Sequence, residues 1–223
     1  MLNHLHVPLL EPEDIKRHLA KEGHWKPGFS AQQLALAWSK SKGQFPDRVK
    51  SLLQTSPDFA SAELVDGFFE REVDLGTPGK NSQTDLMVIA GIGDTVAIIA
   101  VEGKVDEALG QLVSEWNDGS AGKLVRLRAL CATLGLDINS VGDLRYQLLH
   151  RTASAVYEAK RYRCHKALML VHSFSPTKAW LPDFERFTVA MGIGVNGHDV
   201  LSQTKACEGV DIRLGWVSDK VQM

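Results

Sequence analysis

Hydrophobic and polar positions divide the chain into a helical beginning, an alternating middle and a mixed second half. Glu11-Pro12-Glu13-Asp14 puts a proline and acids into a first helical turn. The segment KPGF breaks that helix. Ser30-Ala31-Gln32-Gln33 has the form of a capping box for the next helix, which carries Leu34 and Trp38 on one face. Pro46 and Pro57 suit the first turns of further short helices, so the first 65 residues read as wholly helical. Residues 67–75, GFFEREVDL, alternate as a strand does, and GTPGKNS follows as a loop. Residues 83–104, QTDLMVIAGIGDTVAIIAVEGK, read as two apolar strands joined by a glycine turn.

Helical spacing resumes in VDEALGQLVSEW, with Leu109, Leu112, Val113 and Trp116 on one side. AGKLVRLRALCATLGL predicts a helix ending near Gly135, and a longer one runs from Asp143 to Arg163. KALMLVHSF, 166–174, is a continuous apolar run and predicts a buried strand. LPDFERFTVAMG predicts a helix and DIRLGWVS a final strand. No repeat or linker interrupts this order. It reads as a single domain over 1–223: a helical extension over 1–65, an α/β core over about 66–175, and a C-terminal helix and strand over 176–223.

Composition narrows the class. A chain of 223 residues that is 44% hydrophobic and 23% charged is globular. No apolar stretch approaches the roughly 20 residues of a membrane span, and the N-terminus turns acidic at once, unlike a secretory signal. Cys131, Cys164 and Cys207 fit neither a disulfide framework nor a metal-binding pair, which predicts reduced thiols in a cytoplasmic protein. The net charge of −2 is unevenly spread: residues 61–118 hold 12 Asp and Glu against 3 Lys and Arg. An acidic middle with basic flanks suits a metal site beside a phosphate-binding surface.

The acids concentrate at the open end of the hairpin. Side chains alternate along a strand, so Glu102 and Lys104 share a face with Ile98 and Ala100. With Gly93-Asp94 as a two-residue loop, Ile89 faces Ile98, Met87 faces Ala100, and Asp85 faces Glu102; a four-residue loop, Gly91 to Asp94, shifts the register by two and keeps the same faces. Opposed Cβ atoms lie about 4.5 to 5.5 Å apart. Two carboxylates at that range repel unless one is protonated, and magnesium or manganese removes the conflict. Lys104, farther along the same face, is placed to reach a phosphate oxygen. The bland alternative is a solvated hairpin end with a surface ion pair.

Asp85 followed by Glu102-Gly103-Lys104, on paired apolar strands with a helix after them, resembles the PD-(D/E)XK nuclease-like superfamily. The resemblance implies a restriction-endonuclease-like core, a mixed sheet flanked by helices, behind an all-helical N-terminal extension. It implies Asp85 and Glu102 as ligands of Mg2+ or Mn2+, Lys104 as the third catalytic residue, and nucleic acid, DNA ahead of RNA, as partner. Glu63, before the first strand, matches an auxiliary acid, and Gln111 a glutamine found after the motif lysine in some branches. Thr84 replaces the usual proline. Trp116 stands near where a tyrosine often follows the glutamine. The resemblance implies metal-dependent phosphodiester hydrolysis, with a non-catalytic binding or regulatory module as the alternative. A homodimer is compatible with it.

Lys160, Arg161, Arg163 and Lys166 cluster around Tyr162, and Arg145, His150 and Arg151 extend that strip on the same helix. Such a strip suits a phosphate backbone, while cations at a helix C-terminus also complement its dipole. GIGVNG, 192–197, satisfies a dinucleotide fingerprint in letters, but too little chain follows for a nucleotide-binding half, so it reads as a loop. The histidines show no metal-binding spacing.

Overall fold

The structure is a computed structural model that describes residues 11–19, 25–194 and 198–222. The N-terminal His4 and His6 and the last three residues of GIGVNG lie outside that range. A 3-10 helix, Pro12–Arg17, opens the described chain. Then come α1 (Ser30–Lys40), α2 (Asp47–Leu53), β1 (Glu63–Val73), β2 (Ser82–Ile92) and β3 (Thr95–Lys104). The second half adds α3 (Val113–Trp116), α4 (Ala121–Leu134), α5 (Tyr146–Arg161), β4 (Lys166–Ser173), α6 (Leu181–Ala190), β5 (Lys205–Cys207) and β6 (Val210–Ser218).

Among the described residues, six strands form one mixed sheet in the order β1-β2-β3-β4-β6-β5. The β1, β2 and β3 pairings are antiparallel, whereas β3, β4 and β6 run parallel. The α3-to-α5 segment makes the crossover into β4, and α6 the crossover toward β6, as parallel pairs require. Helices cover both faces. Met87, Ile98, Ala100, Met169 and Val171 pack toward α4, α5 and α6. Leu86, Val88, Ile99, Val101, Leu168 and Leu170 pack toward α1 and α2. The chain is thus an α/β protein with an N-terminal helical region and a mixed sheet between helical layers. Among the described residues no helix is long and apolar enough to cross a membrane. The three cysteines are free and buried.

Several elements differ from the sequence expectation. Helix α1 begins at Ser30 without a side-chain cap; the Ser30 N–H instead donates to Glu107 Oε1 at 3.2 Å. Pro57 sits in a turn, not a helix, and β1 starts at Glu63, so the helical region ends earlier than residue 65. Of VDEALGQLVSEW only the last four residues are helical, because Leu112 forms a bridge to Arg145 and breaks the turn-on-turn bonding before it. The short β5 had no alternating signal of its own.

Candidate metal and phosphate site

The hairpin register is the one that alternation and a two-residue turn dictate. Ile92 faces Thr95, Ile89 faces Ile98 and Met87 faces Ala100, with Gly93 at φ +56 in the left-handed region that such a turn needs. The ladder runs to Leu86 and Val101. Beyond it the Asp85 carboxylate takes over: its Oδ2 accepts the Gly103 N–H at 3.0 Å. Gly103 itself faces α1. A Cβ there would lie 3.3 Å from Leu34 Cβ and 3.4 Å from the Ser30 carbonyl, so any larger residue would press the start of α1 outward by a few tenths of an ångström.

On the α5 side, Glu102 is almost wholly buried and is held by three donors. Lys104 Nζ lies 2.9 Å from its Oε1, Gln147 Nε2 lies 2.6 Å from the same oxygen, and Arg151 Nε lies 2.5 Å from Oε2. Arg151 also reaches Asp85 Oδ1 at 3.5 Å and Ser82 Oγ at 3.2 Å. Gln147, His150, Arg151, Ser154 and Glu158 form one stripe of α5 at helical spacing, and that stripe faces the sheet. His150 and Ser154 both contact Ser82 Oγ, while Glu158 pairs with Arg71 of β1.

A third acid joins from β1. Phe69 pairs with Leu86 and Arg71 with Thr84, which puts Glu70 opposite Asp85. Glu70 has φ +52, an uncommon conformation for a non-glycine residue inside a strand. Glu70, Asp85, Glu102, Lys104, Gln147 and Arg151 line one cavity of about 360 Å³, together with Phe29 and Ser30 at the start of α1.

Charge is unbalanced there. Burial, then the neighbouring Glu102, push the Asp85 carboxyl up to about 7, with Arg151 and Lys104 offsetting only part. Burial, then Asp85, push Glu70 up to about 8. Burial acts on Glu102 as well, yet Arg151 and Lys104 outweigh it and hold Glu102 at about 2. Burial likewise disfavours the Lys104 charge, and Glu102 and Asp85 override it, so Lys104 stays an ammonium. Four carboxylates, Glu70, Asp85, Glu102 and Glu107, line the cavity with two cations, and their repulsion is relieved by proton uptake on Asp85 and Glu70.

Among the described residues no three His, Cys, Asp or Glu side chains are grouped closely enough to hold a metal ion. Two carboxylates do face each other. The donor set is all oxygen, which suits a hard cation, and magnesium characteristically uses one or two carboxylates and completes its shell with water and phosphate oxygens. Gln147 Oε1, buried and without a hydrogen-bond partner, is a further oxygen at the site.

Asp85, Glu102 and Lys104 therefore come together as the hairpin predicts, and Arg151 joins them. Arg151 is buried between two carboxylates, not on an exposed basic strip, because α5 turns that face to the sheet. Glu63 is not beside the site. It is the exposed first residue of β1, opposite Gly91, seven residues or about 23 Å of strand from Glu70. Gln111 is exposed and outside any helix, contributing its carbonyl to the Tyr146 N–H. Arg145 pairs with Asp183 and stacks over Trp180. Lys160 pairs with Glu208 and Arg161 with Glu158. Lys160 and Arg161 lie at the far end of α5, about 15 Å along the helix from Arg151, and Arg163, just past that end, lies beside the hairpin turn. They do not extend the carboxylate site. Glu70 was legible only as one of two acids alternating on strand one; Gln147 had the signal of sharing a helix face with Arg151.

Residues 8–221 match a family described as a domain of unknown function, DUF6946, and the chain belongs to that family. No curated protein and no solved structure matches it.

Proposed function

We propose that this member of the family hydrolyses phosphodiester bonds in nucleic acid, with magnesium or manganese as cofactor, in the manner of PD-(D/E)XK nucleases. On this reading its α/β core is a restriction-endonuclease-like sheet. The observation that carries the reading is the convergence of Asp85, Glu102 and Lys104 on one strand face in a single cavity, with Glu70 brought opposite Asp85. The position expected of Gln111 falls to Gln147, on the helix that precedes β4.

Asp85 and Glu70, the two carboxyls that burial and repulsion hold near neutral, are the groups that would hold the cation and give up their protons as it binds. Glu102, now held by Lys104, Gln147 and Arg151, would complete the set on giving up its Arg151 contact. Bound there, the cation would supply positive charge to the phosphate and acidify a water molecule. Lys104 is kept charged by Glu102 and Asp85 and presents N–H donors toward the phosphate oxygens as charge builds on them. Glu102 fixes the position of that ammonium, and Gln147 fixes Glu102.

A second reading, a non-catalytic nucleic-acid-binding or regulatory module, is favoured by one contact: Arg151 bridges Asp85 and Glu102 as a structural ion-pair network does. The deciding experiment is cleavage of single- and double-stranded DNA and RNA with magnesium, manganese or EDTA. Metal-dependent cleavage lost in Asp85→Asn supports the nuclease. No cleavage of any substrate with either metal overturns it in favour of the module.

A further inference from the structure

A second cavity, of about 520 Å³, adjoins the carboxylate site and shares Gln83 and Arg151 with it. Its chemistry is opposite. Lys80, Lys123, Arg126 and Arg151 line it together with Trp116, Tyr146 and His150, and none of its lining residues is an acid.

The aromatic wall is built and fixed. Trp116 stacks on Tyr146 with ring centroids 3.8 Å apart and planes 10° from parallel. Tyr146 in turn contacts His150, 4.9 Å between centroids. The wall is held by Arg126, whose Nε donates to Tyr146 Oη at 2.7 Å and whose Nη1 donates to the Lys80 carbonyl at 2.8 Å. One guanidinium thus anchors both the aromatic column and the 76–81 loop opposite it, so Arg126 is a positioning residue. Trp116 is further fixed because its short helix is tied to the segment just before α5: the Val113 N–H donates to the Leu144 carbonyl at 2.9 Å. Lys123 Nζ lies 5.4 Å from the Trp116 ring centroid and 2.9 Å from Asp118 Oδ2.

We propose that this cavity binds one unpaired nucleotide of a single strand, its base against the Trp116–Tyr146 wall and its phosphate toward Lys80 and Lys123. The choice of nucleic acid as ligand rests on the function proposed above. Its support is the juxtaposition: an acid-lined cavity suited to a phosphate under attack, and beside it, across Arg151, an acid-free cavity with the pairing of flat aromatic faces and cations that single strands use. Base stacking tolerates any sequence, because every base has a π face. Incoming phosphate takes the place of Asp118 on Lys123.

The test is binding of labelled oligothymidylate, six nucleotides long, in EDTA and on the Asp85→Asn background, so that it needs neither metal nor turnover. Trp116→Ala is expected to weaken binding about 10- to 100-fold, the range for loss of one stacked base. Trp116→Phe should restore most of it, which separates loss of the aromatic face from misfolding. Lys123→Ala should lower the salt slope by about 0.7. An abasic chain of equal length should bind the parent and Trp116→Ala alike, and a blunt duplex should lose less than 3-fold. The inference is overturned if the parent does not bind oligothymidylate, if Trp116→Ala binds it within 2-fold of the parent, or if the abasic chain loses as much. Cleavage with Trp116-independent binding sinks this inference and leaves the nuclease standing. Trp116-dependent binding without cleavage does the reverse.

Discussion

The Asp85 carboxylate accepts the backbone N–H of Gly103 at 3.0 Å, across the end of the β2–β3 ladder. A side chain thus finishes what the backbone ladder leaves open, and it fixes Asp85 beside Glu102 and Lys104. The same glycine lets α1 close over the other face. Site and cover are therefore coupled through one residue.

Gly103→Ala should show that coupling. Its Cβ would press on Leu34 Cβ at 3.3 Å and on the Ser30 carbonyl at 3.4 Å. The expected loss is about 1 to 3 kcal/mol, read by urea denaturation, together with raised protease sensitivity in α1. Unchanged stability would mean that α1 does not pack there.

Asp85→Asn and Lys104→Ala should part company in metal affinity and agree in activity. An amide replaces an anionic ligand in the first, so manganese affinity measured by calorimetry falls. The second leaves affinity near that of wild type while turnover drops about 10²- to 10³-fold, the scale of one lost contact to the transition state. Cleavage unchanged in both variants would place the chemistry elsewhere.

Arg151→Ala removes the cation between the buried Glu102 and the partly buried Asp85. Breaking such a pair costs about 3 to 5 kcal/mol, and added manganese should recover part of it by occupying the vacated charge. Thermal melts with and without manganese read this directly. A variant as stable as wild type in EDTA would deny Arg151 its bridging role.

His172 sets an acid limit. Its ring is wholly buried, accepts the Trp38 indole N–H at Nδ1 at 3.2 Å, stacks on Phe174 and reaches Asp219 through Nε2 at 3.3 Å. Burial lowers its pKa, and the Asp219 contact offsets only part of that. The unfolded state then binds the extra proton, so the contribution is complete above about pH 6.5 and is lost as pH falls below it. His172→Gln should flatten the fall in melting temperature between pH 6.5 and 4.5. An equally steep fall in the variant would assign the acid limit to other groups.

Alanine at both Lys160 and Arg163 should leave oligonucleotide affinity, salt slope and cleavage within 2-fold of wild type. Both sit at the hairpin-turn end of the sheet, away from either cavity. A marked loss would extend the binding surface along the whole of α5.

The local parts of this molecule were written in the sequence. The faces of the β2–β3 hairpin followed from alternation alone, since a two-residue loop at Gly93-Asp94 and a four-residue loop over Gly91 to Asp94 keep the same parity; the structure takes the two-residue register. The apolar run became β4, and α4 ended at Gly135, which takes the left-handed conformation that stops a helix. These are nearest-neighbour constraints. What surrounds Asp85 and Glu102 was not local. Glu70 arrives because β1 pairs with β2 across a ten-residue register and adopts a positive φ there. Gln147 and Arg151 arrive more than forty residues later, on a crossover helix whose polar stripe has meaning only once it packs on the sheet. The same packing sends Lys160, Arg161 and Arg163 to the far end, although they belong to the same basic run, since about ten helical residues separate them from Arg151 along one axis. Sequence periodicity assigns a face to each residue; only the packed chain decides which faces meet, because that choice is made by burial across segments distant in sequence.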